Sequence, residues 1–350
     1  MKLIIKKYYV IIILFSSLFY SSCENFILGP EPENTPENNF NILWKEFDRY
    51  YPSFIIRNIN WDTLYSIYKP RITPQTSEDE FWDITIGLLS NFNDIHVFMY
   101  NWDHTKHYES SRIGNSFDFD IYLIKTKYLN LNYKTAGNGN FTYGRFPGDS
   151  IGYIYIRTFS NVSTWYHDID IIVKELSDVK SIIIDVRDNY GGYEDVFAYI
   201  ASTFTDKPVN YAEEIYRNGP NHNDFSSPVV NSVIPDLVRN TFTKRTILLT
   251  NKKTMSMGEL FSLFFQQLPN SEQIGEFTAG GLGATRMFQL PNGWTYYMPV
   301  LLHLTISGIN LENVGVEPDI YAWNSEEGIK NGYDNILETA LNHLKVSSAK

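Results

Sequence analysis

The stretch RTILLTNKKTMSMGELFSLFFQQL, Arg245 to Leu268, decides how the chain folds and where its chemistry lies. Arg245 to Thr250 is a short β-branched and leucine run, as a buried strand requires. From Leu260 apolar residues recur at helical spacing through Phe261, Phe264, Phe265 and Leu268. Between them a polar turn, Asn251 to Thr254, hands the chain to Ser256 at the start of the helix. A hydroxyl there stands at the positive end of the helix dipole, beside backbone N–H groups that no helical carbonyl satisfies. That place suits an alkoxide and an oxyanion. The same residues also have a plainer reading. Ser256-Met257-Gly258-Glu259 before an apolar run is a capping box, with Glu259 reaching back to the Ser256 N–H. Nor is the turn a G-x-S-x-G elbow, since Thr254 stands where that pattern needs glycine.

A second unit of the same kind lies upstream. Ser181 to Val186, SIIIDV, reads as a strand buried on both faces and stops at Arg187-Asp188-Asn189-Tyr190-Gly191-Gly192, after which Val196 to Phe204 is helical. Parallel strands with crossover helices put both turns at one end of a sheet, which brings Gly191 and Gly192 near Ser256. Outward from these units, Phe40 to Phe98 reads as helical. Leu43, Phe47 and Tyr51 share a face, Trp61 to Tyr68 and Phe81 to Leu89 form two further helices, and Ser77 to Glu80 opens the last. Strand-like runs occupy Phe117 to Lys125, Leu129 to Thr135 and Ser150 to Phe159, with a hairpin turn at Gly137 to Asn140. Trp165 to Leu176 is helical, strands return after Leu268, and a helix near Asp334 to Leu344 closes the fold. The expected fold is α/β, with an N-terminal helical subdomain over 40–110 and a core of strand–turn–helix units over 111–346.

Composition narrows the function. The 350 residues are 43% hydrophobic, enough for one large core or two modest ones, and 29 basic against 40 acidic residues leave a net charge of −11. That balance argues against a nucleic-acid surface. The single cysteine, Cys23, excludes an internal disulfide framework and a cysteine metal site. Lys2, Lys6 and Lys7, an apolar run from Tyr8 to Phe19, and Ser21-Ser22 before Cys23 have the layout of a secretory signal over 1–22. With the cysteine in that place it resembles a bacterial lipoprotein signal, which implies lipidation of Cys23 and a membrane anchor in the cell envelope. The alternative is an uncleaved anchor helix. Residues 23–39, rich in Pro, Glu and Asn, read as a tether.

A serine nucleophile needs a base, a group to orient it and an oxyanion hole. Of seven histidines, His96 follows a helix and is flanked by Asp94. His104 and His107 with Asp103 share one short loop and read as solvated rather than as a metal site. His222 and His303 have no nearby partner in sequence. Four separated motifs then fall in order: Asp94-Ile95-His96, D-x-R-x-N-x-G-G from Asp185 to Gly192, T-x-S-x-x-E from Thr254 to Glu259, and E-x-x-G-x-x-P-D from Glu312 to Asp319. G-E-x-T-x-G lies at Gly275 to Gly280. On these motifs the chain resembles the S41 serine peptidases, the C-terminal processing and tail-specific protease family, in the branch similar to the tricorn core protease and the retinoid-binding protein repeats.

The resemblance implies a ClpP/crotonase-like core and a peptide or protein substrate, with no metal and no cofactor. It makes Ser256 the nucleophile, His96 the base and Glu312 the acid. The N–H groups of Met257 and of a glycine in the Gly191-Gly192 pair become the oxyanion hole. Gly281 stands where the processing proteases have a lysine base, so the base must be His96, and Ile95 stands where tricorn-type sites have serine. The segment from His96 to Ser150 is too short for a PDZ domain beside its strands. Two functions fit: a serine endopeptidase acting through an acyl-enzyme, or an inactive peptide- or small-ligand-binding lipoprotein on the same fold.

Overall fold

A computed structural model describes residues 32–114, 117–148 and 150–347. The signal segment and Cys23 lie outside the described residues. Three helices come first, α1 (Pro36–Tyr50), α2 (Trp61–Tyr68) and α3 (Glu78–Leu89), followed by strands β1 (Phe98–Tyr100) and β2 (His107–Glu109). The core runs β3 (Tyr133–Ala136), β4 (Phe141–Arg145), β5 (Ile151–Ile156), α4 (Ile169–Glu175), β6 (Ser181–Asp185), α5 (Glu194–Ala201), β7 (Val209–Tyr216) and β8 (Val229–Val233). It continues with β9 (Arg245–Thr250), α6 (Met257–Gln266), β10 (Ser271–Gly275), β11 (Ala284–Gln289), β12 (Thr295–Thr305), β13 (Ile320–Tyr321), α7 (Glu326–Lys330) and α8 (Asn335–Ser347).

The two strand–turn–helix units lie side by side in a seven-stranded sheet of order β13-β10-β9-β6-β5-β4-β3. β6 and β9 are parallel neighbours, with Ser181 opposite Arg245 and Asp185 opposite Leu249, so the turns that follow them emerge together. Both strands have apolar centres, Ile182 to Ile184 and Ile247 to Leu249, because both faces are covered. One face carries Ile182, Ile184 and Leu248 into a core with Phe197, Phe261 and Phe264. The other carries Ile183, Ile247 and Leu249 against Ile336, Leu337 and Leu341 of α8.

β12 is the spine of a second sheet, ordered β2-β1-β12-β7-β8, with β11 also paired to β12. The N-terminal helices pack on this sheet. Phe47 of α1 stacks on Tyr296 at 5.7 Å, and Phe81 of α3 on Trp294 at 5.0 Å. The helical region therefore shares its core with β1, β11 and β12.

Two expectations need correction. The tether does not reach residue 39, because α1 begins at Pro36. Thr35 caps it, its hydroxyl accepting the Asn38 N–H at 3.3 Å, and proline suits the first turn because its missing N–H would have no acceptor. Phe117 to Lys125 is not a strand. Asp120 accepts the Tyr122 N–H at 2.8 Å and starts a helical turn, Ile121–Leu123, that widens into a π-helix over Ile124–Tyr128. Leu123, Ile124 and Tyr128 are the residues it buries.

Candidate active site

Side-chain amides and hydroxyls join the turn after β6 to the turn after β9. Asn251 donates to Asp188 Oδ1 at 2.8 Å and its own Oδ1 accepts the Asp188 N–H at 3.1 Å. The Thr254 hydroxyl donates to the Val186 carbonyl at 2.9 Å, and the Met255 N–H to the Asn189 carbonyl at 3.0 Å. Thr254, which replaces the glycine of a hydrolase elbow, is thus a tie between strands. Asn189 anchors its own turn through Nδ2 to the Ile156 carbonyl at 2.9 Å, while its Oδ1 accepts the Gly191 N–H at 2.8 Å.

Ser256 sits where this stitching converges. The acid half of the capping box is there, with Glu259 accepting the Ser256 N–H at 3.1 Å. Yet Ser256 is not an ordinary cap. An N-cap residue is normally extended, whereas Ser256 has φ 54° and ψ −124°. A side chain is rarely held in this conformation unless its surroundings over-determine it, and such strain gathers at functional sites. Met257, first residue of α6, has no carbonyl one turn back to receive its N–H.

The glycine pair faces this serine. Gly191 has φ 85°, and a Cβ placed on it would lie 2.6 Å from Ser256 Cβ and 2.8 Å from the Met257 nitrogen. Only glycine fits. Gly192 bridges to Phe159, where the Phe159 N–H donates to the Gly191 carbonyl and the Tyr193 N–H to the Phe159 carbonyl, each at 2.8 Å. In such a parallel bridge the N–H of the bridging residue points away from the strand, so the Gly192 N–H faces outward while that of Gly191 is already taken.

A loop, Gly280 to Gly283, packs against both Ser256 and His96, and two buried carboxylates hold its four N–H groups. Glu259 accepts those of Gly280 and Gly281, both at 2.8 Å, together with the Thr278 hydroxyl at 2.5 Å. Glu312 accepts those of Leu282 at 3.0 Å and Gly283 at 3.1 Å. On one side the Gly281 carbonyl accepts the Ser256 N–H at 3.0 Å. On the other, a Cβ placed on Gly281 would lie 3.3 Å from His96 Cε1 and would overlap Ile95 Cδ1. The space of a lysine at 281 is filled by Ile95 and His96. Gly281→Ala is therefore expected to lower kcat by roughly tenfold through displacement of His96. Ile95→Ala in the same chain should restore most of that loss in a kcat measurement.

His96 is buried, and its Nδ1 has no hydrogen-bond partner among the described residues. Its backbone N–H donates to Asp94 Oδ1 at 2.8 Å. Glu312 does not meet the imidazole; its other oxygen accepts Arg57 Nη2 at 2.7 Å. Burial lowers the His96 pKa from the ordinary histidine value, with Asp94 opposing. Burial and the Asp94 charge push Glu312 up to about 7 against the pull of Arg57, and burial alone pushes Glu259 up to about 7. His303 donates Nδ1–H to the Leu282 carbonyl at 2.6 Å, bracing the same loop. Sequence reading missed Arg57, Asn251 and the second task of Glu259, because each acts on residues distant along the chain.

The fold and the site define an α/β protein that presents a strained serine between a glycine turn and a loop backed by a buried histidine. Residues 150–322 match peptidase family S41 and residues 32–85 match the tricorn protease C1 domain, so the chain carries an S41 domain preceded by a tricorn C1 domain. It is 26% identical over 180 residues to the carboxy-terminal processing protease CtpA of Bacillus subtilis, an alignment covering 51% of this chain and 36% of the relative. It is 27% identical over 211 residues to the tricorn protease of Thermoplasma acidophilum, covering 59% of this chain and 18% of the relative. The crystal structure of a candidate peptidase from Parabacteroides merdae superposes with a TM-score of 0.77 at 28% identity, covering 89% of this chain and 97% of the other. The chain thus spans well under half the length of these two curated relatives.

Proposed function

We propose that the protein is a serine endopeptidase. The observation that carries this reading is the strained Ser256, set between a glycine turn that admits no side chain and a loop that backs onto His96. The Ser256 hydroxyl attacks the peptide carbonyl carbon as His96 takes its proton, and the N–H groups of Gly192 and Met257 hold the oxyanion. Collapse expels the amine, which receives the proton from His96, and leaves an acyl-enzyme. Water, deprotonated by His96, then releases the acid and returns the proton to Ser256. Tyr190 and Tyr193, 57% and 55% exposed on either side of the glycine pair, offer aromatic surface to a bound chain. The inactive-ligand reading leaves the strain at Ser256 without a use. Hydrolysis of an unfolded protein substrate by the wild type, lost in Ser256→Ala, tests the proposal; equal hydrolysis by the two would refute it.

The acid side of the rate profile follows from the same groups. His96 must be neutral to act as a base, and Glu312 ionised to hold its loop and Arg57. Falling pH adds a proton to Glu312 from about 7 downward. It adds one to His96 only below the ordinary value of about 6.5. Once the pH is below both groups, log kcat/KM should therefore drop by more than one decade per pH unit. Glu312→Gln should remove one decade from that slope, with Glu259 contributing equally in both proteins. A wild-type slope of one centred on the ordinary histidine value would contradict this.

We also propose, from the sequence of residues 1–23, that the protein is a lipoprotein of the cell envelope anchored through Cys23. Among the described residues no helix is long and apolar enough to cross a membrane. Cys23→Ser should move the protein from the membrane to the soluble fraction on centrifugation.

A further inference from the structure

Arg57 lies in the turn between α1 and α2, in the part of the chain matching the tricorn C1 domain, yet its side chain is 5% exposed and reaches the candidate active site. It makes three contacts there. Nη2 donates to Glu312 Oε1 at 2.7 Å, Nε lies 3.2 Å from Asp94 Oδ2, and Nη1 donates to the Asn93 carbonyl at 2.5 Å. Asp94 in turn holds the His96 N–H through Oδ1, and its Oδ2 accepts the Tyr51 hydroxyl at 2.7 Å. The side chains of Asp94 and Glu312 are fully buried. One guanidinium therefore joins the turn that carries the base to the carboxylate that holds the loop on the other side of it.

Resting on the peptidase reading, we infer that Arg57 is a positioning residue for the reaction: its planar fork fixes the His96 turn and the Glu312-held loop at one separation, so the N-terminal helices complete the active site. Among the described residues His96 Nδ1 has no partner to orient the ring, which places that task on the backbone at Asp94 and on the loop packed against Cε1. A guanidinium suits this because it presents several donors in a rigid plane and stays charged when buried, whereas an ammonium reaches one partner at a time. The groups facing Glu312 are Tyr51 and Arg57 from the turn between α1 and α2, Asp94 from the turn after α3, and Glu259 from α6. Arg57 is the only cation among these four. Its removal leaves Glu312 and Asp94 to repel each other, which favours protonated Glu312. The same removal takes a positive charge from beside His96 and favours the imidazolium.

Both effects have one sign, and this separates positioning from mere structural support. Arg57→Gln should lower kcat by about 10²-fold with KM within about twofold, and should move the acid limb of the pH–rate profile to higher pH. The His96 ring, followed by NMR through its carbon and nitrogen shifts, should titrate at higher pH than in the wild type. Arg57→Lys keeps the charge and guards against a fold lost to unpaired carboxylates; it should restore the His96 titration but only part of kcat. A folded Arg57→Gln with kcat unchanged, or with kcat lost while both the limb and the His96 titration stay fixed, overturns the inference. The two readings fail differently: an inactive wild type would sink the peptidase reading, and the NMR titration would still decide whether Arg57 sets the state of His96.

Discussion

Gly191→Ala is expected to abolish most hydrolysis, lowering kcat by about 10³-fold while the chain stays folded. The new methyl group would stand 2.6 Å from Ser256 Cβ, 2.8 Å from the Met257 nitrogen and 2.9 Å from the Met255 carbonyl oxygen. It must push apart the Ser256 side chain and the Met257 N–H, the proposed nucleophile and oxyanion donor. Removing one such donor costs about 10²–10³ in rate, and here the serine is displaced as well. Gly191 also has φ 85°, a left-handed backbone that costs an L-residue about 1–2 kcal/mol. The melting temperature should therefore fall only modestly. Steady-state kinetics and a thermal melt on the same sample check both halves. Activity within tenfold of wild type would mean that the Gly191 turn and Ser256 do not form one site.

Arg187→Gln should have the largest effect on stability, a loss of about 3–5 kcal/mol, because it strands two buried carboxylates. Arg187, Asp185 and Asp334 are all fully buried. The guanidinium donates to both Asp185 oxygens, at 2.9 and 2.6 Å, and to both Asp334 oxygens at 2.8 Å. Its Cζ stacks 4.5 Å from the Phe119 ring. Tyr153 supports Asp185 at 2.8 Å and Asn324 supports Asp334 at 3.0 Å, so every partner is already committed to this arrangement. The cluster ties α8 to the strand end from which the Asp188 to Gly192 turn departs. Urea unfolding measures the loss, and a change below about 1 kcal/mol would show that the carboxylates find other partners or take up protons at little cost.

What the sequence revealed and what it hid follow from the range of the forces involved. The units at Ile182–Phe204 and Thr246–Leu268 were legible because burial on both faces leaves unbroken apolar runs, and a turn between strand and helix must be polar or glycine-rich. Neighbouring parallel strands then brought Gly191 to Ser256 without further information. The helical turn at Ile121 was misread because its signal, the Asp120 cap, is one residue beside a run of β-branched and aromatic side chains. Thr35-Pro36 was hidden in a stretch whose composition reads as linker. The choice between Gly191 and Gly192 could not be made in sequence, since it depends on Asn189 taking one N–H and on the bridge to Phe159. Arg57 was out of reach for a different reason: it meets Glu312 across 255 positions, and an arginine after an aromatic helix carries no local mark of that use.

The most direct test is covalent labelling of the full chain with a fluorophosphonate, followed by intact mass measurement and peptide mapping. One adduct is expected, located on Ser256, absent from Ser256→Ala and formed far more slowly in His96→Ala. A folded wild type that takes no label, or a Ser256→Ala protein that labels as fast as the wild type, would contradict this.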